Sequence, residues 1–383
     1  MRPTQISNRK PRDPKQRILF LLLLLAAVWG GKYFLVKHMY LPRLVLTQPI
    51  PTLASSKRRM EDITVASVAI SPDGRTIFSG GTFFEANTVL PICVWDAQTG
   101  KLRRTFGGHK IFVNALACSH DGKLLASNGW DNTVCLWNLE TGKLLWKHIG
   151  AISSLVFSSD DRYLAIGGAV WRVSDGKLEH AYNSKAADFL GTAFSPDGKI
   201  FACVAGGSVK TLMSQPGQPF TMTVIGEQAQ LWDVATGKLL RTLPYSRVQA
   251  MAFSPDGKSL TCLSTLGPAG ISQGTELHSV NLETGNKNWE WSTGNNANTS
   301  FDMMNSLAYS PNGKWLLCET FNYDVLLFNA VSGKLVRRMH PLEWAKGGSS
   351  RSAPDGIGFS SDGKTLVGRG RHTVQVWDTS TLL

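Results

Sequence analysis

A chain of 383 residues is long enough for a large core. Its formal net charge of +12 invites a nucleic-acid reading, which the distribution of charge excludes. Residues 1–60 hold twelve Lys/Arg and a single acid, Asp13, whereas the remainder holds 28 basic and 27 acidic residues. A nucleic-acid reader carries its basic patch on the folded domain, so no nucleic-acid partner is expected.

The basic end belongs to a membrane-anchor pattern. Ile18 to Gly31 is wholly apolar or glycine, and with Lys32 admitted the stretch runs to Val36. At ~1.5 Å per residue this spans about 29 Å, close to the hydrocarbon core of a bilayer. Lys32 sits near one end and can snorkel. The expected order is a basic cytoplasmic tail (1–17), a transmembrane signal-anchor helix (18–36), a linker (37–62) and a folded domain (63–383). Six Lys/Arg precede the segment, so the N-terminus is expected inside and the domain outside. Secretion after signal-peptide cleavage is the rival reading. It lacks a clean small-x-small site, because Trp29 and Tyr33 follow Ala26–Ala27.

From residue 63 the chain repeats itself. A "strand, S-P-D-G-K, strand" element recurs seven times, from "AISPDGRTIFSG" to "GFSSDGKTLVGR". Each copy is followed by a second element such as "VWDAQTGKL", "LWNLETGKL" or "LWDVATGKL". Trp95, Trp137, Trp171, Trp232, Val280, Phe328 and Trp377 mark its seven copies. Apolar runs of four to six residues bounded by Pro-Asp-Gly or Thr-Gly read as short strands joined by tight turns. Each unit supplies four antiparallel strands. One such sheet cannot bury both its faces alone, but seven packed radially can.

These elements resemble WD40 repeats, over about residues 63–383, of the membrane-anchored bacterial type. The resemblance implies an all-β, seven-bladed propeller with Trp95, Trp171, Trp232, Phe328 and Trp377 as blade core anchors. Blade two, "GGHKIFVNALACSHDGKLLASNGWDNTVCLWN", fits best, and the family's structural hydrogen-bond tetrad maps onto His109, Ser127, Asp131 and Trp137. Cys203, Cys262 and Cys318 stand where blade two has Ser127, so the other blades depart from the pattern. Repeat seven stops after its third strand, and residues 42–53 are expected to supply its missing outer strand and close the ring.

Loop lengths separate two faces. The S-P-D-G and T-G-K turns stay short, whereas every long insertion falls at the opposite ends of the strands. Long loops in compact domains are usually functional or disordered. A recognition face is therefore expected there, with Phe83, Phe84, Trp130, Phe220, Trp344, Arg351 and Arg369 as candidate partner-binding residues. The partner is expected to be a protein or peptide, the propeller a monomer, and the longest insertion, between Gly206 and Gln228, a place to look for function.

Catalytic signals are poor. No pair among the eight histidines has zinc-ligand spacing, and no nucleophile elbow, P-loop or EF-hand loop occurs. No catalytic residue, metal or cofactor is assigned. A quinoprotein-like or lactonase-like propeller enzyme is the alternative, since "NLETGKLLWKH" and "NLETGNKNWEW" resemble quinone-cofactor repeats and offer Trp146 and Trp289. A sensor of a ligand or cell-envelope component is the second alternative. The six cysteines read as small core hydrophobes rather than disulfides.

Overall fold

A computed structural model describes residues 44–47, 63–83, 91–107, 109–150, 154–182, 191–205, 208–212, 221–225, 228–266, 274–293, 304–320, 324–339, 356–370 and 373–381. The chain divides into Met1–Met39 and Tyr40–Leu383, and all described residues fall in the second unit. The expected cytoplasmic tail and anchor segment, and most of the linker, lie outside the described residues. Among those described, no helix is long and apolar enough to cross a membrane.

Seven four-stranded antiparallel sheets follow one another. From first to last strand, blade one runs from Ile63–Ile70 to Leu102–Phe106 and blade two from Val113–Cys118 to Leu144–Ile149. Blade three runs from Leu155–Phe157 to Leu178–Ala181, blade four from Thr192–Phe194 to Leu239–Ser246, and blade five from Val248–Phe253 to Lys287–Ser292. Blade six runs from Met304–Tyr309 to Leu335–Met339. The first strands of neighbouring blades touch in a closed circle, with Ile357–Phe359 of blade seven meeting Ile63–Ile70 of blade one. Blade seven takes its outer strand from the other end of the chain: Leu44–Thr47 pairs antiparallel with Thr373–Val376. That pairing ties the ends of the domain together and covers a free edge.

Apolar clusters fill each seam between blades, because alternate residues of every strand face opposite neighbours. Phe78, Phe106, Val113 and Leu125 fill seam one–two, and Leu317, Leu327, Leu366 and Trp377 fill seam six–seven. Trp95, Trp137, Phe328 and Trp377 are buried as blade anchors, whereas Trp171 and Trp232 are only half-buried. Trp171 stacks on His148 and Trp232 lies against Tyr182. Burial pushes the Cys93, Cys118, Cys203 and Cys262 thiols up to about 12 and the Cys135 thiol up to about 11, so these stay protonated and inert at neutral pH.

The repeated phrases work as turn hubs. In the first turn, Ser71 Oγ donates to Asp73 Oδ1 (2.6 Å) and accepts the Thr76 N–H (2.9 Å), while Asp73 also accepts the Arg75 N–H (3.0 Å). The same Ser-centred network recurs around Ser119, Ser158, Ser195, Ser254, Ser310 and Ser360. In the second turn the Asp or Asn after the anchor does the work: Asp96 Oδ1 accepts from the Thr99 N–H and hydroxyl, and Asp233 repeats this with Thr236. The aspartate of the "WD" pair is therefore a turn residue.

The S-P-D-G turns also lock to one another. A Cβ on Gly122, Gly257, Gly313 or Gly363 would lie 3.4–3.8 Å from the proline of the preceding blade's turn. Blade three breaks the pattern in a compensated way. Asp161 holds the glycine position at φ 56°, which aspartate tolerates. Its carboxylate accepts the backbone N–H groups of His120 and Asp121, both at 2.8 Å. His120 has an N–H to give because it stands where four of the other turns have proline (Pro72, Pro196, Pro255 and Pro311).

The blade-four insertion is not an irregular loop throughout. Ser208–Leu212 pairs in register with Thr221–Ile225 as an extra two-stranded hairpin. By contrast, blade three joins Tyr163–Ile166 to Ala169–Arg172 through Gly167-Gly168 alone, with Gly167 at φ 57°.

Candidate binding face

In an antiparallel blade the first and third turns share one end of the strands and the remaining loops share the other. Blade two shows how the loop end is held. Asp131 Oδ1 accepts from Thr133 Oγ1 at 2.6 Å and lies 3.0 Å from His109 Nδ1; its Oδ2 accepts the Lys110 N–H at 2.9 Å. His109 Nε2 lies 2.7 Å from Ser127 Oγ, which also accepts the Trp137 indole N–H at 2.9 Å. A carboxylate can only accept, so His109 is protonated on Nδ1 and its Nε2 takes the serine hydroxyl proton. This satisfies every polar atom of the chain with a neutral imidazole.

The electrostatics agree. Burial pulls the His109 imidazole below its ordinary value, against the opposing pull of Asp131. Burial works against the Asp131 charge, but hydrogen bonds from Thr133, the Lys110 N–H and His109 outweigh it and hold the carboxyl down at about 2. Lys147 on the outer strand adds a charge 3.7 Å from Asp131.

The network carries a platform. Trp130 N–H donates to the Phe112 carbonyl at 2.9 Å, and the two rings meet edge to face with centroids 6.1 Å apart. Ile111 beside them is 42% exposed. Ile149, tied to the same turn through the Gly150 N–H to Asn132 carbonyl bond, is 84% exposed. Isolated exposed apolar side chains are ordinary, but aromatic and aliphatic groups held together by a buried polar network form an anchor-type surface.

The other expected contact residues fare differently. Arg369 does not reach the surface: it is 2% exposed, and its Nε donates to Glu319 at 2.9 Å while Nη1 donates to the Ala66 carbonyl at 2.6 Å. It ends the second strand of blade seven, and the closeness of Gly356 and a bulge at Ala66 leave it pointing into the junction of blades six, seven and one. Phe84, Phe220, Trp344 and Arg351 lie outside the described residues, and only the backbone of Phe83 is described.

Two elements were not foreseen. Blade one holds half a tetrad, with Trp95 Nε1 donating to Ser79 Oγ at 2.8 Å. Trp146 and Trp289 are seam clamps: their indole N–H groups donate to the Val173 and Ala330 carbonyls of the following blades, at 3.0 and 2.9 Å. Their position four residues after the turn glycine recurs as Arg104, His180, Arg241 and Arg337, a spacing visible in the sequence. Among the described residues, no three His, Cys, Asp or Glu gather to hold a metal ion.

With this geometry defined, a β-propeller built of repeats and offering a loop-bearing face, comparison with known proteins gives a consistent class. The family model "WD domain, G-beta repeat" matches residues 100–138, which span the last strand of blade one and most of blade two. The chain is 46% identical over 71 residues to the small ribosomal subunit protein RACK1y of Oryza sativa subsp. japonica, covering 18% of this chain and 21% of that protein. It is 26% identical over 254 residues to the WD repeat-containing protein 26 homolog of Drosophila melanogaster, covering 61% of this chain and 37% of that one. The matched segments thus span about a fifth to two fifths of these relatives. A solved structure, Kuenenia stuttgartiensis hydrazine synthase, superposes with a TM-score of 0.63 at 16% identity, covering 86% of this chain and 99% of that chain. At that identity the likeness concerns the fold alone. Together the matches support the WD40 repeat family.

Proposed function

We propose that this chain is a membrane-tethered, non-catalytic scaffold that acts as a monomer and binds a protein partner through its long-loop face, with the blade-two platform as one anchor. The observation that carries the reading is the Ile111–Phe112–Trp130 cluster, together with Ile149, held on loops by the buried His109–Asp131 network. WD-repeat similarity supports the scaffold class. A rigid frame lets such loops vary without loss of the fold. Phe83, Phe84, Phe220, Trp344 and Arg351 remain candidates on the same face by their loop positions.

Capture of partners by the full chain, read by quantitative mass spectrometry, tests the platform. Trp130→Ala with Ile149→Ser is expected to weaken the principal captured partner by about tenfold or more, as loss of an aromatic anchor does. Unchanged capture by a folded variant sinks the platform.

The tether, and with it the membrane-anchored bacterial-type reading, rests on the apolar run 18–36 and its basic flank. The full chain is expected to stay in the membrane pellet after an alkaline carbonate wash, and external protease on spheroplasts should degrade the propeller. Release of the chain into the wash, or protection of the propeller, contradicts the tether or its orientation respectively.

A further inference from the structure

The clamp position that closes the seams is not filled alike all round the ring. At seams two–three and five–six it is tryptophan, whose ring lies on the following blade's turn glycine, Gly176 or Gly333. At seam one–two it is Arg104, whose Nη1 donates to the Glu140 carbonyl at 3.2 Å. The slim guanidinium bridges the outer margin of the seam and leaves space behind it. A cavity of about 560 Å³ opens there, on the face that carries the short turns.

Its lining combines an apolar floor with unspent donors. Pro72 and Leu139 form the floor, above Phe78 and Val94, which are themselves almost wholly buried. The carboxylates of Asp73 and Asp121 on the inner wall are committed to their own turns, through Ser71 and the Arg75 N–H, and through Ser119 and the Lys123 N–H. Arg104 makes that one hydrogen bond and lies over the Phe106 ring at 5.1 Å, so most of its N–H groups remain open. Arg103 and Lys123 add positive charge at the mouth, although each also pairs with an aspartate, Asp96 and Asp121.

We propose that this seam cavity is a second docking site, on the face opposite the platform, and that it takes a peptide of a protein partner carrying a carboxylate next to an apolar side chain. The carboxylate meets Arg104, in a charge-assisted and geometrically matched contact. The neighbouring apolar side chain covers the floor at Pro72 and Leu139. A doubly charged phosphate fits less well, because Asp73 and Asp121 stand across the cavity and like charges placed opposite one another disfavour binding. The scaffold would then hold two partners at once, one on each face.

A random linear peptide library displayed on phage, panned against the full chain, tests this. Enriched sequences are expected to place Asp or Glu beside Leu, Ile or Phe. Binding of a synthesised enriched peptide should fall about tenfold or more in Arg104→Met, which removes a hydrogen bond to a charged group. It should be abolished in Arg104→Trp, which installs the clamp used at two other seams and fills the space. Trp130→Ala should leave it unchanged, which keeps this site separate from the loop-face platform. The proposal is overturned by enrichment without an acidic–apolar pattern, by no enrichment at all, by undiminished binding to Arg104→Met, or by loss of binding in Trp130→Ala.

Discussion

Replacing Arg369 with methionine is expected to lower the stability of the propeller by about 3–5 kcal/mol, because it strands a buried carboxylate. Glu319 is fully buried in blade six, and burial alone pushes its carboxyl above the ordinary range, against the pull of Arg369. Arg369 in blade seven supplies its counter-charge and also holds the Ala66 carbonyl of blade one. One side chain therefore joins three blades at the place where the ring closes. The companion variant Glu319→Leu with Arg369→Met removes both charges, and it should recover most of the loss, since a buried pair exchanged for apolar groups is often neutral. Urea midpoints of the two variants give the measurement. A single variant within about 1 kcal/mol of the parent would show that the pair contributes little, as surface pairs do.

Much of this architecture was readable from the chain because its signals are local. Each turn is specified within five residues, Ser through Lys, as in Ser195 to Lys199, so seven copies of the phrase mark seven blades. The tetrad was readable for the same reason, since His109, Ser127, Asp131 and Trp137 all lie within one blade. The fate of Arg369 was not readable. Its partner is fifty residues away in another blade, and the bulge that turns the Ala66 carbonyl toward it leaves no mark in the composition. The clamp role of Trp146 and Trp289 is hidden in the sequence for a related reason, because a clamp is visible only when the following blade's carbonyl is in place. A subtler rule was available in the sequence. Serine stands at the fourth residue of the second strand where the anchor is Trp95 or Trp137, and cysteine stands there where the anchor is Val280 or Phe328, which have no N–H to satisfy. Blades three, four and seven depart from it, with Ile166, Cys203 and Gly368 at that position beside the anchors Trp171, Trp232 and Trp377; in blade four the weak acceptor near the Trp232 N–H is the Cys203 thiol.

That rule leads to the second large effect, Ser127→Ala. The hydroxyl serves two buried groups at once, giving its proton to His109 and accepting from Trp137. Its removal orphans both, at about 1–3 kcal/mol for each unsatisfied group, so a loss of about 2–4 kcal/mol is expected. Ser127→Cys keeps a weak partner in place, as blade four does, and should lose less. The histidine adds a pH dependence whose sign follows from its lowered value in the fold. The unfolded chain takes up the proton first, so the contribution of His109 is complete above its ordinary value of 6.5 and drains away as the pH falls below it. The parent's urea midpoint should therefore decline from about pH 7 to about pH 5, and His109→Gln should flatten that decline. An equal slope in both proteins would place the acid sensitivity elsewhere. Because Asp131 also fixes the Lys110 N–H and the turn beside Trp130, loosening this chain should weaken partner capture by the platform, although Ser127 lies wholly buried beneath it and cannot touch a partner.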